Sequence, residues 1–200
     1  MNRESTRRLI LASASPRRKE LMTSLQLEFE VLPSDTDELV PEDWSPEQVV
    51  KELALRKATA VQYHYITEVT DSIIIGSDTI VVLDKRIFGK PRDHDEAVAM
   101  LDALQGRSHY VYTSVACIDT STGVTRVEYR RTLVHMKPLT PSKIQSYVLS
   151  GEPADKAGAY AIQGLGSTLI DKIEGCYFTV VGLPVSLLSD MLEQFGVQII

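Results

Sequence analysis

The apolar pattern of the chain centres on residues 71–84, where Ile73-Ile74-Ile75 and Ile80-Val81-Val82-Leu83 flank Gly76-Ser77-Asp78-Thr79. A β-branched run of this length predicts a strand covered on both faces, interrupted by one carboxylate and one glycine. Two short strands with Asp78 in the turn between them is the alternative. Upstream, residues 8–12 read as a first strand. Ser15 as N-cap and Pro16 as first helical residue then open a helix that carries Leu21, Met22 and Leu25 to about Gln26. Phe29 and Val31 alternate with Glu28 and Glu30 in a half-exposed strand, and an acidic, irregular stretch covers residues 33–43. Ser45-Pro46-Glu47-Gln48 has the form of a capping box for a helix running towards Tyr63.

Downstream, Asp84-Lys85 predicts a tight turn, and Gly89-Lys90-Pro91 closes the hairpin region. Asp93 caps a helix through Leu104 that Gly106 ends. Strands over 109–118 and 124–136, joined by 120–123, form an antiparallel hairpin. Thr140-Pro141 opens a helix to about Leu149, and Gly151 stops it. A second hairpin is predicted from 167–173 and 177–181 around Glu174-Gly175, before a last helix over 184–195. Helices interleaved with both kinds of strand predict an α/β fold on a mixed sheet.

Two hundred residues suffice for one large domain or two small lobes, and no repeat, linker or low-complexity tract divides them. A net charge of −6 excludes general affinity for nucleic acid or an anionic membrane, while leaving room for a small anion in a locally basic cleft. No apolar run approaches the ~20 residues of a membrane span. MNRESTRR lacks the apolar segment of a secretory signal. Cys117 and Cys176 are isolated, which points to reduced thiols in the cytoplasm. His64, His94, His109 and His135 are scattered, without zinc-ligand spacing.

The acidic balance makes certain cations conspicuous. Arg17 and Arg18 fall in the first turn of a helix, whose N-terminus is already partially positive. An anion bound there, with phosphate the natural candidate, removes the misfit. Otherwise the two arginines splay into water or pair with the acidic stretch. Lys57 lies beside the apolar stripe of its helix, where lysine often merely extends its stem along the core. Lys90 stands in a stiff Gly/Pro frame. Residues 152–166, EPADKAGAYAIQGLG, form a long aperiodic loop with Asp155, Lys156, Tyr160 and Gln163 among small residues. Such loops bind ligands more often than they merely connect. Glu38 and Asp78 are carboxylates that their local segments do not explain. Cations for phosphate and carboxylates for a hydrated metal are the minimum equipment for attack of water on a polyphosphate.

LILASASPRRKELM, SDTDE, IIGSDTIVV, GKPRD, GRSHYVYTSV, DKAGAYAIQGLG and YFTVVGLP occur in that order. Together they resemble the Maf family of nucleoside triphosphate pyrophosphatases over nearly the whole chain. The resemblance implies a single catalytic domain spanning residues 1–200. It would be two-lobed, on a long mixed sheet similar to inosine triphosphate pyrophosphatases, with the site in a central cleft. It implies cleavage of a nucleoside triphosphate to monophosphate and diphosphate with a divalent cation, Mg2+ or Mn2+. By position, Asp78 is implied as proton acceptor, Glu38 and Asp78 as metal ligands, and Ser13, Arg17, Arg18, Lys57, Lys90 and Lys156 as phosphate contacts. Arg17, Thr79 and Gln163 match the dTTP/UTP branch at three places where the branch acting on 7-methylated GTP differs. Ser77 stands where alanine is common. A homodimer is a family-level expectation, and family members are linked to removal of modified nucleotides and to division arrest. The competing readings are a purine-directed pyrophosphatase with a different base pocket and a non-catalytic nucleotide-binding division regulator. A pure binder gains nothing from a buried base.

Overall fold

The computed structural model describes residues 7–34, 36–41 and 43–200. Seven strands form one mixed sheet: β1 (Arg8–Leu11), β2 (Glu30–Val31), β3 (Ser72–Leu83), β4 (Arg86–Phe88), β5 (Ser108–Asp119), β6 (Thr125–Met136) and β7 (Ile170–Glu174). Their order is β2-β1-β3-β5-β6-β7, with β4 also on β3. β1 is parallel to both β2 and β3, with Leu9 opposite Ile73 and Leu11 opposite Ile75. β3 with β4 and β6 with β7 are antiparallel. β5 and β6 are neighbours joined by residues 120–124, too short for a crossover, so they too are antiparallel. The helices are α1 (Pro16–Ser24), α2 (Pro46–His64), α3 (His94–Leu104), α4 (Pro141–Leu149), α5 (Tyr177–Val181) and α6 (Val185–Glu193). Among the described residues no helix is long and apolar enough to cross a membrane.

Two compact units emerge, one from residues up to Asp78, Thr113–Arg130 and Gly182–Ile200, the other from Thr79–Tyr112 and Arg131–Val181. In the first, Ile10, Ala54, Ala58, Val61, Ile74 and Ala116 lie in one apolar cluster. The second is built on Val81, Leu101, Leu104, Val134, Tyr147 and Leu169.

The local signals act as their chemistry dictates. Ser45 Oγ accepts from Gln48 N–H at 3.3 Å while Gln48 Oε1 accepts from Ser45 N–H at 2.9 Å, completing the capping box of α2. Asp93 and Thr140 cap α3 and α4 through the amides of Glu96 and Lys143. Asp84 and Lys85 both take positive φ, as a two-residue hairpin turn requires.

One open alternative falls and two expectations change. β3 is one continuous twelve-residue strand, so Asp78 stands within a strand and not in a turn. Ser15 occupies the N-cap of α1, but its side chain makes no capping hydrogen bond. Tyr177–Val181 is a helical turn, not the second arm of a hairpin. Thr179 and Val181 are buried while Tyr177 and Phe178 are 40 % and 38 % exposed, a pattern that does not alternate. Cys176 C=O accepts from Thr132 Oγ1 at 2.9 Å and from Thr179 N–H at 3.2 Å, starting the helical turn where a strand would continue. β7 is last in the sheet order and its outer edge stays unpaired among the described residues, so here tertiary setting overrides β-branched propensity.

Candidate active site

Helix α2 lies against β3 at very short range. A Cβ on Gly76 would sit 2.3 Å from Ala54 C=O and 2.9 Å from Ala58 N, so only glycine permits this approach. Ala54 and Ala58 are themselves fully buried. Asp78 follows Gly76 by two residues and so shares its face of the strand, the face towards α2. Lys57, beside Ala58 on that helix, therefore reaches it.

Lys57 Nζ donates to Asp78 Oδ1 and, at 3.0 Å, to Glu38 Oε1. The side chains of Lys57 and Asp78 are 12 % and 8 % exposed, that of Glu38 48 %. Burial pushes the Asp78 carboxyl above the usual carboxylate range; the charges of Lys57 and Arg18 pull it back, and Glu38 adds to the rise. The acidic loop is held from the same helix. Arg56 Nη1 donates to the carbonyls of Asp37 (3.4 Å) and Leu39 (2.7 Å), bracketing Glu38. Two residues earlier, Thr36 Oγ1 is buried without a hydrogen-bond partner among the described residues.

Arg17 and Arg18 begin α1, which follows the carboxyl end of the parallel strand β1. Arg18 does not splay into water. Its Nε donates to Gly182 C=O at 2.8 Å and its Nη1 to Ser13 Oγ at 3.3 Å. Burial lowers its pKa, with the Asp78 charge opposing. Gly182 C=O also accepts from Ser77 Oγ at 3.0 Å. Ser13 Oγ accepts from Ser15 N–H at 3.2 Å. The first unit thus brings together Ser13, Arg18, Glu38, Lys57 and Asp78, with Arg17 beside Arg18 in the same turn.

Thr79, Lys90, Lys156 and Gln163 belong to the second unit. Thr79 is half-buried on β3 and Lys90 is exposed after β4. Within that unit Lys156 Nζ donates to Glu152 C=O at 2.9 Å and to Asp155 Oδ1 at 2.5 Å, its side chain 12 % exposed. The loop of residues 152–166 is ordered as short 3-10 turns, Glu152–Asp155 and Ala157–Ala159, with a third over Gly164–Leu169. Gln163 precedes that third turn and is half-buried.

A family model described as Maf-like protein matches residues 8–195. The chain belongs to the Maf family. The dTTP/UTP pyrophosphatase of Desulforamulus reducens is 54 % identical over 97 % of this chain and 100 % of its own. The dTTP/UTP pyrophosphatase of Gloeobacter violaceus is 47 % identical over 95 % and 97 %. Among solved structures the Staphylococcus aureus Ham1 protein aligns over 94 % of this chain and 99 % of its own, at 14 % identity and a TM-score of 0.53, a likeness of fold.

Sequence reading passed over three residues of this Maf protein that hold others in place: Arg56, Glu152 and Gly182. Arg56 sits one residue from Lys57 and Glu152 opens the loop, but neither signals its partners, which are distant in sequence. Gly182 could have been suspected from Gly182-Leu183-Pro184, a glycine taking positive φ before a proline-capped helix.

Proposed function

We propose that this Maf protein hydrolyses nucleoside triphosphates, principally dTTP and UTP, to the monophosphate and diphosphate, with Asp78 as general base. The observation that carries this reading is a buried carboxylate, more basic than a solvated one, hydrogen-bonded to the Lys57 ammonium. A merely structural strand gains nothing from burying an aspartate, because its desolvation opposes folding. A base of raised pKa instead takes a proton more readily from the attacking water. Water oxygen bonds to phosphorus beside the α–β bridge, the anhydride bond breaks, and the proton passes to Asp78 Oδ. The near-complete alignment with relatives named for dTTP and UTP supports the substrate class.

Glu38 and Asp78 fit a single divalent cation, Mg2+ or Mn2+. Their oxygens already converge on one cation, the Lys57 ammonium. Among the described residues no third His, Cys, Asp or Glu completes a protein cage. Mg2+ needs none, since one or two carboxylates, water and substrate phosphates fill its octahedron. When bound, the ion neutralises charge on the phosphates. Ser13, Arg17 and Arg18 are assigned to the phosphates, because helix starts after parallel strands bind anions, and Lys57 is assigned there by family position. Lys90 and Lys156 are assigned to the phosphates by family position, and Thr79 and Gln163 to the base. A Gln amide both donates and accepts, as the pairing edge of uracil or thymine demands. A cytoplasmic housekeeping role goes with this reading.

The test is a panel of nucleoside triphosphates with Mg2+ or Mn2+, products identified, on the native protein and on Asp78→Asn. The variant keeps its fold and nucleotide affinity while turnover falls by roughly 10² or more. Near-native turnover in folded Asp78→Asn sinks the assignment of the base. Inert dTTP and UTP beside an active purine triphosphate sinks the substrate class.

A further inference from the structure

The segment that carries Gln163 is anchored on both sides by one carboxylate and one phenol. Glu152 Oε1 accepts from Tyr147 O–H at 2.8 Å and from Gly166 N–H at 2.9 Å; Glu152 Oε2 accepts from Leu165 N–H at 2.9 Å. Tyr147 Oη in turn accepts from Ala161 N–H at 3.2 Å. The anchored amides lie two residues before Gln163 and two and three residues after it. Tyr147 is 6 % exposed on α4 and belongs to the core of its unit, so the anchor is rigid.

The sequence around Gln163 is shaped to this anchor. A Cβ on Gly164 would lie 2.5 Å from Glu152 Oε2, and Gly164 takes φ +63. A Cβ on Gly166 would lie 2.4 Å from Ala161 C=O and 2.5 Å from Tyr147 Oη. Gly164 is thus required by its positive φ and by the Glu152 carboxylate, and Gly166 by the Ala161 carbonyl and the Tyr147 hydroxyl. The Gln163 side chain makes no capping hydrogen bond to the turn that follows it, which leaves its amide for another partner. Glu152 also fixes a cation, since its backbone carbonyl accepts from Lys156 Nζ. A carboxylate suits this position because it accepts several hydrogen bonds at once and carries no donor to clash with the loop amides.

We propose that Glu152 and Tyr147 are positioning residues that set base selectivity by fixing the orientation of Gln163. This rests on the reading of Gln163 as the residue that meets the pyrimidine edge. A site that bonds a base edge discriminates through paired buried polar groups, so a loosened Gln163 loses discrimination before it loses chemistry. Glu152→Gln turns an acceptor into a donor facing Leu165 or Gly166 N–H. Tyr147→Phe keeps the ring in the core and removes only the hydroxyl.

The experiment measures kcat and KM for UTP, dTTP and GTP in Glu152→Gln, Tyr147→Phe, Gln163→Glu and the double variant Glu152→Gln/Gln163→Glu. Gln163→Glu lowers kcat/KM for UTP by at least about tenfold with unchanged products. Glu152→Gln and the milder Tyr147→Phe each lower the UTP-to-GTP ratio of kcat/KM by about fivefold or more, chiefly through KM for UTP. The double variant discriminates no worse than Gln163→Glu alone, because residues acting through one group are not additive. A native UTP-to-GTP ratio in both Glu152→Gln and Tyr147→Phe, or full additivity in the double variant, overturns the positioning role while Gln163 keeps its own. A native ratio in Gln163→Glu overturns both, and identifies the base reading as the point of failure.

Discussion

Gly76 and Ala54 are in such close apposition that no side chain fits between the strand and the helix backbone. This contact sets the height of α2 over β3, and with it the reach of Lys57 to Asp78. Gly76→Ala forces the two elements apart and costs about 3 kcal/mol or more, at the upper end for overpacked cores. The denaturation midpoint falls at unchanged slope, and catalytic activity falls with it. Gly89→Ala is the control, because nothing lies within 4 Å of a Cβ there. Its stability stays within about 0.5 kcal/mol of native. Equal effects of the two substitutions would contradict the packing account.

The carboxyl of Asp78 titrates above its ordinary value of 3.8, because burial outweighs the pull of Lys57 and Arg18. Removing the ammonium removes one of those pulls. In Lys57→Met the titration therefore moves to still higher pH. Carbon-13 NMR of the aspartate carboxyl in metal-free protein reads this directly. A midpoint at the ordinary value, or one that Lys57→Met leaves in place, contradicts the reading.

His109 is 1 % exposed on β5 and pairs its Nε2 with Tyr160 Oη at 2.6 Å. Its Nδ1 is buried without a hydrogen-bond partner among the described residues. Burial first, then the charge of His135, lowers its pKa from 6.5 to about 4. Between those values the unfolded chain takes up a proton that the folded chain refuses, so stability is full above pH 6.5 and lost as pH falls towards 4. The loss is on the order of 3 kcal/mol, at about 1.4 kcal/mol per unit. Equilibrium unfolding across that window measures it. In His109→Gln, which keeps a polar group for Tyr160, the slope over that window flattens; an unchanged slope assigns the titration to another group.

Arg17 and Arg18 are adjacent in the first turn of α1, and Arg18 anchors Gly182 C=O and Ser13 Oγ. Arg17→Ala weakens nucleoside triphosphate by about 1.5–3 kcal/mol and the monophosphate far less, as loss of a charge-assisted phosphate contact requires. Arg18→Ala lowers thermal stability as well, because Gly182 C=O and Ser13 Oγ each lose one of two donors and the buried contacts of the guanidinium are lost. Calorimetric titration with both ligands, beside melting curves, separates the two. Equal weakening of both nucleotides by Arg17→Ala would move that residue from the phosphates to the base or sugar.

Local signals in the sequence determined most of the elements. The Ser45–Gln48 box, the Asp93 and Thr140 caps and the Asp84-Lys85 turn act within four residues of themselves, so their outcome needs no knowledge of the rest of the chain. The pairing of apolar runs with a lone carboxylate also marked Asp78 in advance. Tertiary structure alone decided the rest. The close approach permitted by Gly76 is made by the protein's own helix, and that contact turned Lys57 from an ordinary stripe lysine into the partner of Asp78. Tyr177–Val181, β-branched and strand-like, is a helical turn whose first carbonyl, that of Cys176, is shared between Thr179 N–H and Thr132 Oγ1, some forty residues away in sequence. Glu152 gained its role from amides that a fifteen-residue fold of the loop returns to it. Hydrogen bonds and close packing between distant residues depend on the whole chain's path, and periodicity along the sequence carries no record of that path.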